Sequence, residues 1–206
     1  MKVFRHLLLS LSLLAFAGCA SHPYSAIQKA GLHTVQLDPL IHSEHDMRYG
    51  FDSSKLDDLH SDITSDMEND VGAEGLRRIR IVMKKHNIDV FQMIHGQITD
   101  RLRNHPEFTL VDQPPADGTF TVKVIQYGFT DAPYSLMHEV PFLILKIELT
   151  DKQGAVIFSR ETKYSEPPDD DSGSSWDDFE SHPDDLREAW STVVVQAVNK
   201  LLPPSK

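Results

Sequence analysis

The chain has 206 residues, 31 Asp plus Glu against 20 Lys plus Arg, a formal net charge of −11 and one cysteine. The acidic excess excludes nucleic acid as a natural partner and excludes adsorption to anionic lipid by charge alone, since both surfaces carry the same sign. A single thiol excludes an internal disulfide, and a chain of this length buries about 70% of its unfolded surface in one core, so packing must hold a single folded unit.

Lys2 and Arg5 precede an apolar run from Leu7 to Phe16, and Ala17 and Gly18 lead directly to Cys19. A charged start, a short apolar stretch and small residues make the pattern of an export signal. The run is about half the roughly 20 residues a helix needs to cross the hydrocarbon core, so residues 1–18 read as a leader that is removed. Phe16-Ala17-Gly18-Cys19 resembles the lipobox of bacterial lipoproteins, where an aliphatic residue, a small residue and Gly or Ala precede an invariant Cys; Phe16 stands where Leu is usual. The resemblance implies a diacylglyceryl group on Cys19 and often a third acyl chain; one chain binds a membrane marginally and two or more bind it stably. Ala20, in place of the Asp that favours inner-membrane retention, implies an outer-membrane anchor facing the periplasm. Lys2 and Arg5 leave with the leader, so the mature chain has 18 cations against 31 carboxylates, net −13.

Residues 19–31, small and polar with Pro23 and Gly31, are expected to form an acylated tether, and residues 32–206 a single periplasmic domain. In LHTVQLDPLI, Val35 and Leu37 share a face and Pro39 ends the strand. From His42 to Asp70 the chain is rich in Asp, Ser and His; Leu56, Leu59, Ile63 and Met67 fit either a surface helix or a loose excursion. Ala73 to His86 carries Leu76, Ile79, Val82 and Met83 on one stripe of an amphipathic helix. A second helix, or a continuation of it, starts after Asp89 as N-cap, presents Phe91, Ile94, Ile98 and Leu102, and stops before Pro106.

Phe108 to Val111 reads as a short strand, and Pro114 to Gly118 as a turn. In TFTVKVIQYGF, Phe120, Val122 and Val124 alternate before Ile125, Tyr127 and Phe129 take over; a change of face inside a strand predicts a bulge. Val140 to Thr150 is a strand, Asp151 to Gly154 a turn and Ala155 to Tyr164 its partner strand. An acidic loop is expected over 166–180. A capping box at Ser181 and Asp184 should then open a helix bearing Leu186, Ala189, Trp190, Val193, Val194, Ala197 and Leu201. Its single apolar stripe requires it to lie on the sheet. The order implies an α+β fold, a two-layer sandwich of a mostly antiparallel sheet with amphipathic helices on one face.

RLRNHPEFTLVD, ADGTFTVKVIQYGF, the DKQG turn and the final helix together resemble, over residues 88–202, LPS-assembly lipoproteins and the auxiliary lipoproteins of ABC-type lipid transporters. The resemblance implies a non-enzymatic accessory or scaffold role in the envelope, with an envelope protein as partner.

Chemical candidates are few. His42, His45 and Asp46 form a possible metal set if His33 or His60 converges on them, which leaves a metal-binding lipoprotein as the alternative function. Asp169, Asp171, Asp177 and Glu180 are spaced like ligands of a calcium loop, yet Gly173 is one place early and Pro167-Pro168 occupy the entering helix, which favours an acidic loop without an ion. The sequence holds no nucleophile elbow, no HExxH helix and no other catalytic pattern, so no catalytic residue and no cofactor are assigned. Trp176 and the stretch containing Tyr134, Leu136 and Met137 are read as exposed contact points for a partner, whereas Trp190 falls on a buried stripe.

Overall fold

The computed structural model describes residues 23–49, 70–132, 135–165 and 174–204. In chain order the elements are α1 (Pro23–Lys29), β1 (Thr34–Leu37), β2 (His42–Ser43), β3 (Arg48–Tyr49), α2 (Asp70–Lys85), α3 (Val90–Arg103), β4 (Thr109–Leu110), β5 (Gly118–Ala132), β6 (Ser135–Asp151), β7 (Val156–Ser165), α4 (Trp176–Ser181) and α5 (Pro183–Leu201). The fold is the expected α+β sandwich, built on one mixed sheet in the order β4-β1-β5-β6-β7.

The antiparallel part rests on β5, β6 and β7. Phe120, Val122 and Val124 pair in register with Leu149, Ile147 and Leu145. The register then shifts between Val124 and Gln126, leaving Ile125 as the extra residue of a bulge. The bulge advances the alternation by one, so Tyr127 and Phe129 return to the face of Phe120, Val122 and Val124. Tyr127 meets Phe91 edge-on at 5.3 Å and Trp190 at 6.2 Å, and Phe129 meets Trp190 at 5.3 Å. The Asp151–Gly154 turn closes β6 onto β7, with Gly154 at φ +82, the left-handed region open to glycine.

The helices sit on that apolar face. Ile94, Ile98 and Leu102 of α3, and Leu186, Trp190, Val193, Val194, Ala197 and Leu201 of α5, are all fully buried. Each such aliphatic residue contributes about 1.5–3 kcal/mol through removal from water. Asp89 caps α3 by accepting from the Gln92 backbone N–H at 3.0 Å, and Asn87 at φ +52 separates α2 from α3. The helices α3 and α5 run parallel: Arg187 donates to the His86 carbonyl beside the start of α3, and Arg101 near its end donates to Asn199 near the end of α5.

Five features differ from expectation. Residues 23–29 form a helix, with Tyr24, Ala26 and Ile27 buried, where a tether over 19–31 was expected. Pro23 fits the first helical position and Ile27 lies one turn below it, so the segment helps to build the core. The edge of β5 opposite β6 is paired in parallel by β1, β2 and β3 in succession, so the sheet has a parallel component that the hairpin pattern did not disclose. Leu136 and Met137 belong to strand β6, two residues after β5 ends, and so are not a loop; Tyr134 lies outside the described residues. Residues 176–181 of the acidic loop are helical, capped by Ser175: its hydroxyl accepts from Asp178 N–H at 3.2 Å, and the Asp178 carboxylate accepts from Ser175 N–H at 3.0 Å. Accordingly Ser181 and Asp184 do not open α5; His182 precedes it and Pro183 takes its first position, where a fixed φ and a missing N–H cost nothing. The possible helix through Leu56, Leu59, Ile63 and Met67 lies outside the described residues.

Candidate functional site

At one end of the body, α1 is fastened by aromatic packing. The Tyr24 ring stacks on His105 with centroids 3.7 Å apart, and His105 stacks on Phe108 at 4.9 Å. His105 Nδ1 accepts from the Glu107 N–H at 3.3 Å, which fixes the ring beyond the end of α3. Burial pushes the Tyr24 hydroxyl pKa up, against the opposing pull of Arg101. Beside this stack is a cleft of about 190 Å³ lined by Tyr24, Gln97, Asp100, Arg101, Asn104, His105 and Pro204. Cys19 lies outside the described residues, four positions before Pro23. Among the described residues, no helix is long and apolar enough to cross a membrane.

The opposite end holds a second aromatic group. Trp176, expected to be exposed, is partly buried: its ring meets Phe129 at 5.3 Å and Tyr49 at 5.4 Å. It lies so close to α2 that a Cβ on Gly75 would come within 2.5 Å of the indole. The helix spacing that puts Phe179 into the core puts Asp177 and Glu180 on the outside, where both bind Arg78 of α2, at 2.5 Å to Asp177 and 2.6 Å to Glu180. The Arg78 guanidinium holds the Glu180 carboxyl below its ordinary pKa, and the two carboxylates hold Arg78 protonated. Two of the four residues spaced like calcium ligands therefore serve a helix contact; Asp169 and Asp171 lie outside the described residues.

Next to Trp176, the Tyr49 hydroxyl donates to Glu139 Oε1 at 3.1 Å, and the Glu139 backbone N–H donates to the Ser174 carbonyl at 3.0 Å. Glu139 is a carboxylate only 5% exposed. Sequence reasoning passed over it because it precedes the apolar run VPFLIL as an ordinary strand-end charge. Its partner is 90 residues earlier in the chain.

His42 stands on β2 opposite Lys123, and His42, His45 and Asp46 are all exposed. The Ser43 hydroxyl donates to the His45 carbonyl at 2.5 Å, which tightens the turn between them. His33 donates its backbone N–H to Asp117, and His60 lies outside the described residues. Among the described residues, no three His, Cys, Asp or Glu side chains are grouped so as to hold one metal ion.

A groove of about 450 Å³ runs between the α2–α3 junction and β3, with Met47, Met83, Phe91 and Tyr127 as its apolar lining and Lys84 and Asp89 at its polar margin. Burial raises the Tyr127 hydroxyl pKa. Such a groove has the make-up of a small apolar binding site, a few polar groups around hydrophobic walls.

No family model matches the chain, and no characterised protein matches its sequence. Several solved structures resemble it in part, two of them as follows. Protein XCC0632 from Xanthomonas campestris, of family DUF330, overlaps 54% of this chain at 14% identity and a TM-score of 0.39, and the chain spans 60% of that protein's length. A dodecamer of a PelC variant from Paraburkholderia phytofirmans overlaps 82% of this chain and 86% of its own subunit at 9% identity and a TM-score of 0.35. Likenesses this shallow transfer no residue role to the present chain.

Proposed function

We propose that the mature protein is an outer-membrane lipoprotein, held by acyl chains on Cys19, whose periplasmic α+β domain serves a non-enzymatic accessory role by holding another envelope component. The observation that carries this reading is the run from Lys2 to Cys19, with charged, apolar and small segments in export order and the only thiol of the chain at their end. The firm seat of α1, which starts four residues beyond that cysteine, supports it, because an anchor joined to a buried helix transmits its position to the whole body.

Crosslinking in cells, followed by purification of the full-length protein, tests the role. Defined envelope proteins recovered with the native chain, and lost when Cys19→Ser removes it from the membrane, are the expected result. The alternative, metal binding by His42, His45 and Asp46 completed by His60, would take the place of this reading if the domain bound stoichiometric zinc or copper with a rise in melting temperature and captured no envelope protein.

A further inference from the structure

The anchor and the body are joined by a very short link. Cys19 and Pro23 are four residues apart, and a fully extended chain spans at most about 3.6 Å per residue, so the acylated sulfur cannot lie much more than about 14 Å from the start of α1. That helix does not swing free, since Tyr24 is stacked on His105 and Ile27 is only 1% exposed. Leu32, just after α1, lies against the start of β5: a Cβ on Gly118 would stand 2.8 Å from its side chain. The strand then runs away from that point, and Phe129 is eleven residues further along, about 36 Å at 3.3 Å per residue. Phe129 carries Phe179 of α4 at 5.9 Å, so α4 marks the end of the body remote from the link.

We infer that the end of the body formed by α1, the close of α3 and Pro204 rests on the lipid headgroups of the bilayer that holds Cys19, and that α4 is presented away from it. This inference rests on the lipid anchor proposed above. The occupant of the surface is the bilayer itself, because a link of at most about 14 Å holds the start of α1 within that distance of the acylated sulfur. The mature chain, with 31 carboxylates against 18 cations, has no net attraction to an anionic headgroup layer, so the short link rather than charge sets which end faces it. The cleft at Tyr24, Arg101 and His105 thus opens toward the headgroups, whereas the Arg78 contact of α4 faces the periplasm.

Full-length acylated protein in vesicles of phosphatidylethanolamine and phosphatidylglycerol, part of them headgroup-labelled with a nitroxide, provides the test. A fluorophore is placed on Glu107→Cys at the near end or on Ser181→Cys at the far end, both exposed positions. Several-fold stronger quenching at 107 than at 181 is expected. A flexible insert of ten Gly and Ser residues between Ser21 and His22 adds about 17 Å of reach and should abolish the difference while the protein still floats with the vesicles. Equal quenching at the two sites, or a difference that survives the insert, overturns the apposition while leaving the anchor intact. Failure of the parent protein to float removes the anchor and the apposition together.

Discussion

At the scale of single residues, close backbone approach decides more than side-chain chemistry. A Cβ on Gly128 would stand 1.8 Å from the Arg48 carbonyl oxygen, because β3 pairs with β5 at that position. Backbone cannot turn aside as a side chain can, so Gly128→Ala should cost at least the usual 1–3 kcal/mol or so of overpacking. At roughly 2–4 °C per kcal/mol for a domain of this size, a thermal melt should show a fall of several degrees; an unchanged midpoint would remove β3 from the edge of β5. Nothing local announces this role, since the partner is 80 positions earlier and a lone glycine in a strand reads only as a weak point. Asp117 is similar. Read as part of a turn, it accepts from the N–H groups of His33 and Thr34 at 3.1 and 3.0 Å and from the Thr34 hydroxyl at 3.0 Å. These donors, the Thr34 N–H foremost, hold its carboxyl below the ordinary range. A carboxylate depressed in the folded state adds stability above its unfolded pKa of about 3.9, and that contribution is lost as pH falls through the folded value. Asp117→Asn should therefore narrow the gap in melting temperature between pH 7 and pH 3, and an undiminished gap would show that these bonds do not favour the charged form.

At the scale of elements, what repeats over many residues was legible and what occupies two residues was not. The stripes of α2, α3 and α5 and the alternation of β6 recur often enough to fix both type and face. Even the bulge was visible, since Val124 is followed by Ile125, Tyr127 and Phe129 out of phase. Deleting Ile125, the extra residue, should close the bulge while keeping Tyr127 opposite Leu143 and Phe129 on the core face, so that variant should still unfold cooperatively. Deleting Ile125 and Gln126 together instead slips the strand by one residue and turns Tyr127 and Phe129 to the other face; at about 3–5 kcal/mol for each large aromatic lost from a core, that variant should show no cooperative thermal unfolding. A sharp transition in the double deletion would show that the bulge does not set the phase. Within α3, Ile98→Ala should cost about 2–5 kcal/mol. By contrast, β2 and β3 are too short to carry a period, and their pairing with β5 is parallel and remote in sequence. The capping box at Ser175 has the same spacing as the pair expected at Ser181; Pro183 decides between them by fitting the first turn of α5.

For the whole molecule, the expected leader follows from a grammar that is local in the sequence, whereas the seat of α1 was not legible because its partners are distant. Small and polar residues before Gly31 look like a tether, yet Tyr24 finds His105 eighty-one positions later and the segment becomes part of the core. With the proposed anchor on Cys19, the body would be tied to the membrane almost directly, and that tie would set its orientation and the surfaces open to a partner. All of this depends on the fate of one sulfur atom. The intact mass of the protein extracted from membranes measures that fate most directly. The account predicts a polypeptide that begins at Cys19 and carries the added mass of at least two acyl chains; a full-length or unacylated chain in the same fraction would contradict it.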